Sequence, residues 1–214
     1  MTVKFSKLTE TGGALFEEVA SIYEELFPEN ERQPLETIKA RIDSRKTELL
    51  LALNEDKVVG FAITWSFEQS AFALLDYLAV HRDWQGKGVG PALMDEVRQS
   101  AKEQNKDLIL EIERPGEGEN QQQRAARLRF YLRCGAFILR DVPYLLPALQ
   151  GTVPTPMILM TIPANTLAEY SGQTVKQLIR QIYLEVYNRN GDDKLLHSFI
   201  HSVPEIVELT KSWT

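Results

Sequence analysis

The segment that most constrains this chain runs from Phe72 to about Lys102. A mostly apolar run, Phe72 to Val80, gives way to Gly86, Gly88 and Gly90 at alternate positions, and an amphipathic stretch follows. The apolar run reads as a buried strand and the stretch beyond the glycines as a helix. A helix start carries unpaired N–H groups and partial positive charge, which suits a phosphate. Glycine lets the backbone approach such an anion without side-chain obstruction.

Spacing excludes two familiar phosphate grips. A P-loop needs Gly-x-x-x-x-Gly-Lys and then Ser or Thr, whose hydroxyl holds magnesium. Here Gly86-Lys87 is followed by Gly88, and position 81 is histidine. The dinucleotide fingerprint needs Gly-x-Gly-x-x-Gly, whereas this chain has Gly-x-Gly-x-Gly. What stands is Gln85-x-x-Gly88-x-Gly90, after Leu78-Ala79-Val80 and before Ala92-Leu93-Met94. That pattern resembles the acetyl-CoA pyrophosphate loop of the GNAT acyltransferases, with an ordinary glycine-rich turn as the alternative. The resemblance implies that backbone N–H groups of Gln85, Gly86, Lys87, Gly88, Val89 and Gly90 hold the pyrophosphate. It also implies that the edge of Leu78, Ala79 and Val80 pairs with the pantetheine amides.

A second signature is Phe130-Tyr131-Leu132-Arg133-Cys134-Gly135-Ala136-Phe137. It is similar to the family's Phe-Tyr-x-x-x-Gly-Phe, with Ala136 inserted before the aromatic. By that resemblance Tyr131 points at the CoA sulfur. A phenol with a reference pKa of about 10 can donate a proton or hydrogen bond as a thiolate leaves. Simple packing beside Phe130 is the alternative role.

An alkylamine acceptor is protonated at pH 7, so something must take a proton. Asp76, Glu111 and Glu113 lie in otherwise apolar strand-like runs. A carboxylate there is costly to bury unless paired or protonated, which favours a raised pKa. Alternation puts Glu111 and Glu113 on one face. In the resembled family a glutamate on this strand, or water held by it, often serves as base. Glu111 is therefore the first candidate and Asp76 the second. Glu29, Glu31 and Arg32 lie between the first two helices, which commonly line the acceptor side in this fold; a solvated loop is the alternative.

The element order reads β-αα-βββ-α-β-α-ββ up to residue 163. The expected fold is α/β (α+β), a mixed, mainly antiparallel sheet flanked by helices. The resemblance implies an acetyltransferase domain over residues 1–163, leaving 164–214 as an expected helical C-terminal extension. Helical spacing runs from about Gln173 to Asn188 and again around Leu195 to Ile200. So many large apolar residues do not suit a solvated arm. The extension should pack on the domain or on a second subunit, as in a homodimer.

Composition narrows the partners. Lys plus Arg is 24 against Asp plus Glu 30, a net charge of −6, which argues against a nucleic-acid binder. No run reaches membrane-spanning length and the start is no signal peptide, so a cytoplasmic protein is expected. The single cysteine, Cys134, excludes an internal disulfide or a cysteine zinc cluster. His197 and His201 stand four apart without a third ligand or the metalloprotease glutamate, so no metal is expected. Arg124 or Arg127 could reach the acidic part of CoA, or simply be solvated.

The sequence thus points to an N-acetyltransferase moving acetyl directly from acetyl-CoA to a primary amine on a small molecule or peptide. A non-catalytic acyl-CoA-binding or regulatory module would keep Gln85–Gly90 but lack a usable base. A protein-interaction module built around the apolar tail is a third reading.

Overall fold

The structure is a computed structural model that describes residues 2–27, 32–118, 120–149 and 152–213. It divides into two compact units, Met1–Lys106 and Asp107–Thr214. No helix among the described residues is long and apolar enough to cross a membrane.

The first unit contains β1 (Lys4–Leu8), α1 (Ala14–Leu26), α2 (Leu35–Asp43), β2 (Thr47–Asn54), β3 (Lys57–Ser66), β4 (Phe72–Val80) and α3 (Val89–Glu103). Its strands pair in chain order, each antiparallel to the next. The β2–β3 hairpin turns through Glu55 and Asp56, both at positive φ (48° and 65°), the backbone that matches strand twist in a tight hairpin. Alternation turns Leu49, Leu51, Phe61 and Ile63 toward α1 and α2, where they bury against Phe16, Val19, Ile22, Tyr23, Ile38 and Ile42. Leu50 and Ala62 face the other way. There α3 packs with Leu93, Met94 and Val97 inward.

The second unit contains β5 (Asp107–Glu113), α4 (Gln121–Arg133), β6 (Phe137–Leu139), β7 (Tyr144–Leu146), β8 (Thr155–Ile162), β9 (Glu169–Ser171), α5 (Gly172–Gln181), a π-helical turn at Ile182–Val186, α6 (Lys194–Ile200) and β10 (Ile206–Thr210). The strands lie in the order β5-β8-β6-β10-β9, with β7 also on β8, all antiparallel. Each unit is thus an antiparallel sheet with helices packed against it, as the element order predicted.

Two expectations need correction. The segment after Pro163 is not wholly helical: β9 and β10 pair with each other, and β10 joins β6 through Leu209 and Leu139. Runs of three and five residues carry too little alternation to separate from loop. The strand β7, within Val142–Pro147, was missed for the same reason. The helix expected to reach Asn188 ends as an α-helix at Gln181 and closes with the π turn. The segment is anchored early: Asp107 accepts hydrogen bonds from Ala164 N (2.7 Å) and Tyr170 Oη (2.6 Å).

Candidate functional site

β4 delivers the chain to the glycine loop. A single 3₁₀ turn, Arg82–Trp84, follows Val80, and α3 starts at Val89. Gly86 (φ +73°) and Gly88 (φ +86°) both occupy the left-handed region, where a Cβ is strained. Gln85 Nε2 donates to Val80 O (3.0 Å), tying the loop back to the strand end. The first α3 backbone bond runs from Ala92 N to Gly88 O (3.2 Å). The N–H groups of Val89 and Gly90 precede it and have no helical acceptor, while Pro91 has no N–H. No acidic side chain occupies the first turn. The resulting cradle is exposed, N–H-rich and suited to an anion.

Asp76 lies on the same strand, at a β-bulge. Ile63 pairs with Tyr77 and Thr64 with Leu75, so Asp76 is the extra residue of β4. A bulge breaks the inside–outside alternation. Both Asp76 and Tyr77 consequently reach the side covered by α1 and α2. Arg41 Nη1 of α2 stands 3.4 Å from Asp76 Oδ2, with the two side chains only 11% and 7% exposed. Burial pushes the Asp76 carboxyl up to about 6, against the opposing pull of Arg41. Beside it, Tyr23 Oη donates to Gln33 O (3.0 Å) and Gln33 N donates to Tyr77 Oη (3.0 Å). The Tyr23 and Tyr77 rings meet edge to face at 4.9 Å. Burial raises both phenols, Tyr23 to about 12.

Arg32 is occupied in holding α1. Its Nη1 donates to Glu24 O (2.8 Å) and Phe27 O (3.1 Å), among the last carbonyls of that helix. Glu29 and Glu31 lie outside the described residues.

In the second unit, Tyr131 is a buried residue of α4. Burial raises its hydroxyl to about 12, with Arg127 opposing. Gly135 (φ +100°) ends α4. Ala136 N reaches Tyr131 O (3.0 Å) and Gly135 N reaches Leu132 O (3.2 Å), a Schellman closure. The Tyr-x-x-x-Gly spacing is therefore also a helix stop.

Glu111 of β5 is clamped by two phenols: Tyr144 Oη donates to Oε1, and Tyr187 Oη donates to Oε2 (2.5 Å). Glu113 is paired with Arg124 Nη2 (2.6 Å) and Arg127 Nη1 (2.9 Å). The two arginines considered for the acidic part of CoA are thus held by a carboxylate.

Residues 45–135 match the acetyltransferase (GNAT) domain family. This segment of the chain is a GNAT acetyltransferase domain. It is accordingly an acyltransferase, a class that draws its acyl group from acetyl-CoA. The matched GNAT segment contains Asp76, the Gln85–Gly90 loop, Glu111 and Tyr131, and excludes Arg32 and Arg41. None of the curated proteins matches the sequence.

Solved GNAT structures share the fold. A Bacteroides thetaiotaomicron protein assigned to the GNAT family superposes with a TM-score of 0.74 at 21% identity, over 87% of this chain and 99% of its own. Coverage of 87% exceeds residues 1–163, so the shared fold extends into the segment after Pro163. The ribosomal-protein-S18-alanine N-acetyltransferase of Escherichia coli gives 0.55 at 21% identity, over 78% and 96%. A GNAT acetyltransferase from Elizabethkingia anophelis, solved with acetyl-CoA bound, gives 0.52 at 17% identity, over 75% and 97%. At these identities the likeness is one of fold.

Sequence reasoning missed Arg41, the bulge, Tyr144 and Tyr187. Arg41 had a signal: it follows Ile38 by three and precedes Ile42, at the flank of an apolar helix face. The bulge had none, because a one-residue slip in pairing leaves no mark on local composition.

The GNAT loop makes a direct prediction. Gly88→Val forces a β-branched residue to φ +86°, a cost of roughly 1–2 kcal/mol for an L-residue. If the cradle relaxes to relieve it, acetyl-CoA binding should weaken about tenfold or more by calorimetry. The far-ultraviolet circular dichroism should be unchanged.

Proposed function

We propose that the protein is an N-acetyltransferase that moves acetyl directly from acetyl-CoA to a primary amine, with Asp76 as the base. One observation carries the base assignment. A buried carboxyl with a pKa of about 6 stands on the strand that leads into the glycine loop. Such a group is ionised at neutral pH and still basic enough to accept a proton. Glu111 is the weaker candidate, because both of its oxygens already accept phenolic hydrogen bonds.

The roles follow from chemistry. Backbone N–H groups of Gly86, Gly88, Val89 and Gly90 hold the pyrophosphate, those of Gln85 and Lys87 being donated instead to Arg82 O (3.2 Å) and Trp84 O (3.4 Å), and the edge of Leu78–Val80 pairs with the pantetheine amides. From Val80 back to Asp76 is about 13 Å of extended strand, so an arm laid along β4 runs toward the bulge. The acceptor ammonium gives a proton to Asp76. The amine nitrogen then attacks the thioester carbonyl; the C–N bond forms and the C–S bond breaks. The departing CoA thiolate takes a proton from Tyr131, whose raised pKa of about 12 keeps it protonated across the working range; the second proton shed by the attacking nitrogen restores the phenol, and Asp76 returns its own proton to solvent. The assignment of Tyr131 to the sulfur comes from the family signature.

The test is acetyl-CoA consumption against a broad panel of primary amines, including peptides with free N-termini. Turnover with a subset of amines is the expected result. Acetyl-CoA binding without turnover on any amine would favour a non-catalytic acyl-CoA module. Tyr131→Phe should lower kcat about a hundredfold with little change in acetyl-CoA affinity; full turnover would remove the acid role.

A further inference from the structure

We propose that Arg41 is the positioning residue of the base, holding the Asp76 carboxylate in one orientation and in its ionised form. The inference rests on the assignment of Asp76 as base. Three features of the geometry support it. The Arg41–Asp76 pair is nearly dry, at 11% and 7% exposure. In such a site an ionised carboxylate needs a partner charge. Arg41 Nη1 reaches Oδ2 at 3.4 Å. That is longer than the roughly 2.7–2.9 Å of a full charge-assisted hydrogen bond. The arginine thus favours the anion without tying it up as tightly as Glu113 is tied. Finally, the guanidinium carbon lies 5.1 Å from the Trp65 ring centroid. Stacking of this kind fixes the plane of the guanidinium, which an ammonium cannot reproduce.

Other groups around Asp76 do not replace this charge. Tyr77, its strand neighbour, and Tyr23 of α1 are both pushed up by burial and stay neutral phenols. Arg32 is spent on the carbonyls of Glu24 and Phe27. Arg41 sits in the last turn of α2, where a cation also complements the helix dipole.

The experiment is the pH profile of kcat/KM of the 214-residue chain for wild type, Arg41→Met and Arg41→Lys. Wild type should show an acidic limb near the Asp76 pKa. In Arg41→Met that limb should move up by about one pH unit or more. Activity should then fall about fivefold or more near pH 6, approach tenfold well below it, and change much less at pH 8.5. Arg41→Lys keeps the charge and should leave the limb within about half a unit, while kcat falls because the planar, stacked group is lost. A folded Arg41→Met protein with an unmoved limb overturns the proposal. Should Arg41→Met not fold, Arg41→Gln decides it by the same criterion, since it keeps a donor without the charge. Failure of the underlying reading looks different: the wild-type limb would then persist in Asp76→Asn.

Discussion

Replacing Asp76 by asparagine is expected to lower kcat/KM for acetyl transfer by about a hundredfold to ten-thousandfold at pH 8, the usual range for a lost general base. The dissociation constant for acetyl-CoA should stay within about twofold, because the donor site proposed at the loop and the strand edge uses backbone groups. The pH dependence gives the sharper readout. The carboxyl sits at about 6, above the ordinary aspartate value of 3.8. Wild-type kcat/KM should therefore climb tenfold per pH unit below about 6 and level off above it. The variant should lack that limb. A limb that survives in Asp76→Asn would exclude Asp76 as its origin.

The same shift bears on stability. A carboxyl whose folded pKa is raised holds its proton more tightly in the folded protein than in the unfolded chain. Its contribution is most favourable below pH 3.8 and declines as pH rises through about 6. Asparagine carries no such dependence. The melting temperature of Asp76→Asn relative to wild type should therefore rise between pH 4 and pH 7. The Arg41 pairing moderates the size of that trend and leaves its direction unchanged.

Gly172→Ala should cost about 3 kcal/mol, combining a close overpacking penalty with a lost hydrogen bond. This corresponds to a melting temperature lower by roughly 6–12 °C for a chain of this size. Gly172 opens α5, and helix propensity alone predicts the opposite sign, a gain of up to about 1 kcal/mol. The tertiary contact decides. A Cβ at this position would lie 1.9 Å from Pro204 O and 2.9 Å from Pro204 C. Gly172 N also donates to Glu205 O at 2.6 Å. These are backbone atoms leading straight into β10, which pairs with β9 at Ile206 and Ser171. Neither side can retreat without loosening that pairing. Thermal unfolding followed by circular dichroism checks it, and an unchanged or higher melting temperature would mean that the segment after Pro163 packs differently.

Long elements were legible because their periodicity extends over enough residues. The α4 boundaries, Gln121 to Arg133, follow from a polar helix that Gly135 stops. The strands β2 to β4 follow from apolar runs separated by turn residues. Short strands were not legible: β7, β9 and β10 exist because a neighbouring strand supplies their hydrogen bonds. At the site, Asp76 and Glu111 were both recognisable as carboxylates in apolar strands. Their order changed once their surroundings were known. Glu111 receives two phenols, one of them from Tyr187, distant in sequence. Asp76 faces one arginine across a bulge.

The sequence alone pointed to the GNAT acetyltransferases, because the glycine loop is made from consecutive residues. Glycine at positions 86 and 88 provides the left-handed backbone, and helix α3 begins directly after it. Local backbone chemistry is written in local sequence. Tertiary structure alone decided the electrostatics of the carboxylates and the sign of the Gly172 substitution. Both depend on desolvation and on atoms that approach from elsewhere in the chain: Arg41 35 residues before Asp76, and Pro204 well beyond Gly172.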